Sequence, residues 1–247
     1  PHFRSLIKNG VSFRNAIASN FPCLTAPGFT SLSTGLFSKE HGIFTSYDWY
    51  DKKTGKLRYF FDDQKGTVDL IAPTICDVFK AANPKAKIAS ISAKDRPSLL
   101  LAGNKADIVA YSYREYVSQR RDHPGKEAYT GAGVHEDYYC WAERPNHQLP
   151  AYLRDTRLTR TVDWKGQGFD HPNQDVADTP AVDTFIMDAA LEILKNEQPY
   201  LMFIVLVSSN IVPHAYSPDS PESQNSFELI DREIGRLVDL LKEMGWY

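Results

Sequence analysis

The sequence predicts an α/β fold, a three-layer sandwich in which helices cover both faces of a mostly parallel central sheet. Residues 88–92, 108–111 and 200–207 have the composition of strands, and the last run is continuously apolar with β-branched members. Such a run is typical of a parallel strand that is buried on both faces. Apolar residues at helical spacing in 184–195 and from Pro221 onward predict helices between and after these strands.

The first part of the chain predicts two shorter helices. Residues 2–9 have helical spacing and stop at Gly10, a residue that favours the end of a helix. The segment 21–35 is expected to pass from a loop into a short helix, with Pro27 in its first turn and Gly35 at its exit.

The chain is predicted to form a single α/β domain over residues 1–247, with residues 111–178 as an inserted cap. This insert is rich in tyrosine, tryptophan, proline and glycine and has little regular period. It contains four of the seven histidines, namely His123, His135, His147 and His171. Their spacing is not that of metal ligands, so surface or hydrogen-bonded positions are expected for them.

Composition and charge exclude several functional classes. The 247 residues include 28 basic and 31 acidic side chains, for a formal net charge of −3, with no lysine or arginine block. This balance argues against nucleic-acid or membrane-surface binding by bulk electrostatics. The longest apolar run, 200–207, is far shorter than the ~20 residues of a membrane helix. Three widely separated cysteines argue against a disulfide scaffold and against a thiolate zinc site.

Thr25 is the first candidate for a chemical role. A hydroxyl two residues before a proline that opens a helix lies near unpaired backbone N–H groups and the positive end of the helix dipole. Together these features make an anion site in which Thr25 can act as a nucleophile. The alternative is that Thr25 only caps the helix by accepting one N–H bond. The pattern alone leaves both interpretations open.

Lys94 and Arg96 follow directly after the predicted strand at 88–92. Ligands of α/β proteins bind at the carboxyl ends of parallel strands. A lysine and an arginine two residues apart can hold phosphate as a point charge and a bidentate fork. The alternative is a charged turn exposed to solvent.

Asn210 and His214 follow the most apolar predicted strand and are expected in a loop at the same edge of the sheet. An imidazole in such a loop can bind a metal ion. The alternative is a hydrogen-bonded histidine with no ligand.

Four blocks together carry a resemblance to a known family. They are Thr25-Ala26-Pro27 through Ser33-Thr34-Gly35-Leu36, Glu40-His41-Gly42-Ile43 followed by Tyr47-Asp48-Trp49-Tyr50-Asp51, Ser92-Ala93-Lys94-Asp95-Arg96, and His214 to Glu222 continuing into Asp231. In the order and separation of these blocks, the chain resembles the type I phosphodiesterase/nucleotide pyrophosphatase branch of the alkaline phosphatase superfamily. Within that branch it is most similar to the lysine/arginine-containing alkaline phosphatases.

The resemblance implies hydrolysis of small-molecule phosphate esters at a site with two zinc ions. It implies that Thr25 is both the nucleophile and a zinc ligand, and that a phosphothreonine intermediate forms. Lys94 and Arg96 would bind the phosphate oxygens, and this pair favours phosphomonoesters over phosphodiesters.

The same resemblance makes Asn210 and His214 metal ligands. Asn210 stands where the family has an aspartate, and a neutral amide is a weaker zinc ligand than a carboxylate. Ser46 stands where the family has a phosphate-binding asparagine and is expected to donate a hydrogen bond to substrate. His41 is expected to be structural.

The family's opening Asp-Gly, its Asp-His-Gly and its final histidine have no counterparts in this sequence. The chain is therefore predicted to be an internal fragment, incomplete at both ends and nearly inactive by itself. The resemblance also favours a periplasmic or secreted protein. Two alternative functions remain open, a carbon–phosphorus hydrolase of the phosphonoacetate type and a degenerate member that binds phosphate without catalysis.

Overall fold

The computed structural model describes residues 1–17, 23–62, 65–113, 138–139, 141–142, 149–159, 161–162, 174–175 and 180–247. Most of the predicted cap at 111–178 lies outside these ranges, and so do its four histidines. The division into one domain with an inserted cap therefore stays a prediction.

The described residues form helices and short strands in alternation. The helices are α1 (His2–Asn9), α2 (Thr25–Thr34), α3 (Ser38–His41), α4 (Ile75–Ala82), α5 (Asp95–Ala102), α6 (Ala151–Arg154), α7 (Ala181–Glu197), α8 (Ser208–Tyr216) and α9 (Pro221–Glu243). The strands are β1 (Trp49–Asp51), β2 (Lys56–Arg58), β3 (Phe61–Asp62), β4 (Thr67–Val68), β5 (Ile88–Lys94), β6 (Ile108–Tyr113), β7 (Tyr138–Tyr139), β8 (Leu158–Thr159), β9 (Thr161–Val162), β10 (Gln174–Asp175) and β11 (Leu201–Val205). Within these ranges, none of the helices is both long and apolar enough to span a membrane.

The central sheet is parallel and has the strand order β11, β5, β6. Leu201 lies opposite Ile88, and Ser90 lies opposite Val109. Every residue of β5 is buried, whereas every residue of β11 is only partly buried. Alternate residues of β11 pack on both faces as predicted, Met202 and Ile204 against one cluster and Leu201 and Phe203 against the other. Their burial is only partial because β11 is the edge strand of the described sheet.

Helices cover both faces of this sheet. On one face, alternate residues of β5 and β6 pack against α7, in a cluster that includes Ala89, Ile91, Ala93, Ile108, Ala110, Phe185, Ile186 and Ala190. On the other face, the intervening residues pack against α2 and α5, in a cluster that includes Ala26, Ile88, Leu99, Leu100, Val109 and Tyr111. This alternation follows from the period of two along a strand. The predicted three-layer α/β architecture is confirmed.

The boundaries of the predicted helices match closely, with one exception near the candidate residues. Helix α2 begins at Thr25, so Pro27 lies in its first turn as predicted, and α2 ends at Gly35 with φ of 71°. The segment after β11 is not the predicted loop, because residues 208–216 form helix α8. Asn210 and His214 therefore lie one turn apart on the same helix.

The Asp231 carboxylate of α9 bonds to the start of helix α1. Asp231 of α9 accepts the backbone N–H groups of Phe3 at 2.7 Å and His2 at 3.1 Å. These donors are among the N–H groups that a helix leaves unpaired at its start.

Candidate active site

Thr25 lies at the start of α2, half-buried, with Leu24 in the cap position. Neither Leu24 nor Thr25 caps the helix, because α2 has no side-chain cap hydrogen bond. The interpretation of Thr25 as a simple cap is therefore wrong. Its hydroxyl stands instead at the end of the helix where N–H groups and the dipole favour a negative charge.

Ser46 and Tyr47 connect the start of α2 to the next group of charges. The Ser46 hydroxyl is buried and accepts the N–H of Ala26 at 2.9 Å, directly beside Thr25. The guanidinium carbon of Arg96 lies 5.6 Å from the centroid of the Tyr47 ring, within the range of a cation–π contact. Two consecutive residues thus contact α2 and Arg96.

Lys94, Asp95 and Arg96 are charged and buried. Lys94 is the last residue of β5 and α5 begins at Asp95, so no loop separates strand from helix. The exposed fractions are 6% for Lys94, 1% for Asp95 and 4% for Arg96. The alternative of a solvent-exposed charged turn is therefore wrong. Two cations and one carboxylate thus lie together at the carboxyl end of the central strand.

Local bonds hold this charged segment in place. Asp95 accepts the backbone N–H of Arg96 at 2.8 Å and the hydroxyl of Tyr59 at 3.3 Å. The backbone N–H of Lys94 donates to the Ser92 hydroxyl at 3.2 Å. On the neighbouring element, the Ser33 hydroxyl of α2 donates to the carbonyl of Leu100 in α5 at 2.9 Å, which ties the two helices together.

Asn210 is joined directly to the charged segment. The Lys94 ammonium donates to the Asn210 amide oxygen at 2.9 Å, across 116 positions of sequence. His214 lies one turn further along α8 and is exposed. The structure therefore places Lys94 beside Asn210, Arg96 beside Tyr47, and Ser46 beside the start of α2, as one continuous series of contacts.

His41 is fully buried and bonded on both ring nitrogens. The N–H of Ile43 donates to Nδ1 at 3.1 Å, so the ring proton resides on Nε2, which lies 3.0 Å from the Ser31 hydroxyl. Burial lowers the pKa of His41, against an opposing effect of Glu40. These bonds describe a neutral histidine that braces α2 against α3, in keeping with a structural role.

The donor set is poor for the two zinc ions that the resemblance implies. Among the residues that the structure describes, no three histidine, cysteine, aspartate or glutamate side chains come together as a metal-binding group. Of the three predicted ligands, Thr25 offers a hydroxyl, His214 an imidazole, and Asn210 an amide oxygen that already accepts the Lys94 ammonium. The described residues therefore do not make a zinc centre by themselves.

Two side chains that shape this site, Tyr47 and Asp183, carry no signal in the sequence that points to their contacts. Tyr47 stood within a block of the resemblance, but nothing in its spacing signals a contact with Arg96. Asp183 lies in α7 and accepts the N–H groups of Val207 and Ser208 at the start of α8. A lone aspartate early in a helix is too common to have been singled out.

A layered α/β fold with two buried cations at the carboxyl end of its central strand has the arrangement that α/β proteins use for ligands at this edge of the sheet. Comparison with known proteins then identifies the family. The whole chain, residues 1–247, matches the type I phosphodiesterase / nucleotide pyrophosphatase family. The chain belongs to this family, whose members are phosphatase- and phosphodiesterase-type hydrolases.

Individual relatives are alkaline phosphatases. The alkaline phosphatase PhoD of Zymomonas mobilis subsp. mobilis is 24% identical over 98% of this chain and 47% of its own length. The alkaline phosphatase PhoK of Sphingomonas sp is 26% identical over 98% of this chain and 48% of its own length. The chain thus spans about half the length of the curated relatives that it matches.

Solved structures agree on the fold. The crystal structure of the alkaline phosphatase PafA is 21% identical and superimposes with a TM-score of 0.68, over 98% of this chain and 54% of that chain. A phosphonoacetate hydrolase from Sinorhizobium meliloti 1021 reaches a TM-score of 0.55 at 22% identity, over 97% of this chain and 48% of that chain. At these identities the likeness establishes the common fold.

Proposed function

We propose that this chain forms part of an enzyme that hydrolyses small-molecule phosphate esters, with phosphomonoesters preferred and phosphodiesters as the second class. The observation that carries the proposal is the buried pair Lys94 and Arg96, linked through Tyr47 and Ser46 to the start of α2 where Thr25 lies. A phosphomonoester has a more highly charged phosphate than a diester, so it gains more from two cationic partners.

In the proposed reaction the Thr25 hydroxyl oxygen attacks phosphorus, the ester P–O bond breaks, and the alcohol leaves. Water then cleaves the phosphothreonine and releases inorganic phosphate. Lys94 and Arg96 offset the negative charge on the non-bridging oxygens during both steps. Ser46 holds the N–H of Ala26 and so orients the first turn of α2.

Zinc dependence and export to the periplasm or the extracellular space are further parts of the proposal. His214 and Thr25 are the ligands that this chain would contribute, and the isolated 247 residues are expected to be nearly inactive. Cell fractionation of the native host tests the location. Elemental analysis of the full-length protein, with and without a chelator, tests the metal.

The direct test is the role of the hydroxyl. In the full-length protein, Thr25→Ala should lower turnover of a phosphomonoester by about a thousandfold or more, because the attacking oxygen is lost. Thr25→Ser keeps a hydroxyl and should therefore retain most of the activity that Thr25→Ala loses. Turnover of a phosphomonoester, a phosphodiester and phosphonoacetate should be compared in the same preparations. Equal turnover in the alanine and unmodified proteins would refute the mechanism, and phosphonoacetate as the best substrate would favour the carbon–phosphorus hydrolase.

A second candidate function is a phosphate-binding protein without catalysis. The hydrogen bond from Lys94 to Asn210 favours it, because Asn210 has an ammonium partner at the oxygen that a metal ligand would offer. Zinc content should be compared in the unmodified protein, in Asn210→Asp and in the control Asn210→Ala. Two zinc ions and turnover in the unmodified protein support the hydrolase, whereas zinc and turnover only in the aspartate variant support the binding protein.

A further inference from the structure

The helix that carries Asn210 and His214 does not cap itself. Val207 occupies the cap position of α8, and no cap side chain bonds to the first turn. The helix has nine residues and contains Pro213, which removes one backbone donor from its interior. Helices this short are marginal without outside support. The start of α8 therefore depends on contacts from other elements.

Asp183 of α7 supplies that support. Its Oδ1 accepts the backbone N–H of Val207 at 2.6 Å and of Ser208 at 3.2 Å. Its Oδ2 accepts the same Ser208 N–H at 3.2 Å and also the Ser208 hydroxyl. Asp183 and Ser208 are fully buried and Val207 nearly so. A negative charge at this end of α8 also complements the helix dipole.

Burying a carboxylate costs more free energy than burying an apolar side chain of similar size. An apolar side chain of similar volume would pack between α7 and α8 without the loss of hydration that a charge suffers. What an apolar side chain cannot do is accept several N–H and O–H bonds in one direction. The specific effect of Asp183 is therefore to hold the first residues of α8 at one position and orientation.

The position of the first turn of α8 directly determines the position of Asn210 in the candidate site. Asn210 follows Ser208 by two residues in the first turn of α8, and its amide oxygen accepts the Lys94 ammonium at 2.9 Å. We infer that Asp183 is a positioning residue for the phosphate site, which sets the place of Asn210 and His214 and, through Asn210, that of the Lys94 ammonium. The inference rests on the proposed function and adds to it a residue on an element that contributes no side chain to the site.

Glu233 of α9 offers a matched control. It is buried like Asp183 and bonds to the same helix, because the Thr184 hydroxyl donates to Glu233 at 2.9 Å. It also accepts the Arg236 guanidinium at 2.7 Å and lies 3.9 Å from the Arg232 guanidinium. Its hydrogen-bond partners thus lie in α7 and α9, so Glu233→Gln removes a negative charge near Asp183 but breaks no hydrogen bond at the start of α8.

The test compares Asp183→Asn, Glu233→Gln and the milder Ser208→Ala in the full-length protein. Affinity for inorganic phosphate and hydrogen exchange of the backbone amides of residues 207–212 are measured for each. An asparagine turns an NH₂ group toward N–H donors, so Asp183→Asn should weaken phosphate binding at least fivefold and speed exchange at the start of α8 about tenfold or more. Ser208→Ala should change both in the same direction by less, and Glu233→Gln should keep phosphate affinity within twofold.

The outcomes separate the inference from the proposed function. Faster exchange in α8 with unchanged phosphate affinity in Asp183→Asn would overturn the inference, as would equal losses of affinity in Asp183→Asn and Glu233→Gln. If Asp183→Asn does not fold, Ser208→Ala with unchanged exchange and affinity overturns it equally. An unmodified protein that binds no phosphate would refute the proposed function, and selective loss of α8 protection in Asp183→Asn would then still support Asp183 as the anchor of that helix.

Discussion

At the scale of single residues, the candidate site consists of buried charges that other side chains hold. Lys94 ends a buried strand and reaches an amide oxygen, and Arg96 lies over an aromatic ring. Neither arrangement exposes the cation to water, so an anion that enters would meet charges with little competing hydration. The residue types were predictable from the sequence, but the partners Asn210 and Tyr47 were not, because they are brought there by the fold.

Lys94 should contribute most of its effect to phosphate affinity. Replacement by methionine keeps the volume of the side chain and removes the ammonium, so affinity for inorganic phosphate should fall about tenfold to a hundredfold. Lys94→Arg keeps the charge and should lose less. Calorimetric titration with phosphate measures both variants. A methionine variant with unchanged affinity would show that Lys94 does not contact the anion.

His41 should make stability depend on pH in a defined direction. Its pKa is lowered by burial from 6.5, so below about pH 6.5 the unfolded chain takes up a proton that the folded protein does not. The free energy of unfolding should therefore fall as the pH falls. His41→Asn keeps an acceptor for the Ile43 N–H but has no titrating group.

Urea unfolding measures the free energy of unfolding of the unmodified protein and of His41→Asn at several pH values from about 7.5 to about 5. The advantage of the unmodified protein over the variant should shrink on acidification. His41→Ala loses both hydrogen bonds and should be destabilised by about 2–3 kcal/mol at neutral pH. A difference that grows as the pH falls would contradict the assignment of a neutral ring.

At the scale of elements, the helix starts decide the arrangement of the site. Helix α2 begins with a threonine that does not cap it, α5 begins immediately after a strand, and α8 depends on a carboxylate from α7. Periodicity predicted α2 and the strand before α5, because those patterns are local. It missed α8, because a short helix with an internal proline has little helical signal of its own.

Gly103 should be required for the start of α4. It has φ of 62°, and a Cβ atom at this position would overlap the Thr74 hydroxyl and the Asp77 carboxylate. Those two groups form the capping box of α4, in which Asp77 accepts the Thr74 N–H at 2.9 Å. Gly103→Ala should therefore lower the free energy of unfolding by on the order of 3 kcal/mol, from backbone strain and the lost cap.

Gly28 in α2 is the matched control for Gly103. A Cβ atom there would meet nothing within 4 Å. Gly28→Ala should leave the free energy of unfolding unchanged or raise it by up to about 1 kcal/mol, because alanine favours a helix. If urea unfolding gives the same change in the free energy of unfolding for Gly103→Ala and Gly28→Ala, the crowding around Gly103 does not affect stability.

At the scale of the whole molecule, the two faces of the sheet hold different kinds of contact. One face packs α2 and α5 beside the cations, and the other packs α7, which carries Asp183. Burial, with a smaller effect of the Glu233 charge, raises the pKa of Asp183 to about 6, against the hydrogen bonds from Ser208 and Val207. The ionised Asp183 that supports α8 therefore lowers the free energy of unfolding at neutral pH.

That cost should appear as a pH dependence opposite to that of His41. Because the folded protein binds the proton of Asp183 more tightly than the unfolded chain does, the free energy of unfolding should fall as pH rises from about 4 to 6. The effect is on the order of 2–3 kcal/mol. Urea unfolding of the unmodified protein and of Asp183→Asn isolates it as a difference. A difference that moves in favour of the unmodified protein as pH rises would contradict the raised pKa.

The sequence by itself determined the layered α/β architecture, the approximate positions of α1, α2, α7 and α9, and the residue types of the site, because these depend on local periodicity and on neighbours along the chain. It also carried the four blocks by which the family was recognised. Only the tertiary structure decided that the charged segment 94–96 is buried, that β11 is the edge strand of the sheet formed by the described residues, and that Lys94 meets Asn210 across 116 positions. The burial of a side chain and the identity of its partner are set when distant segments pack together. The pattern along one segment does not encode which side chains of another segment will contact it.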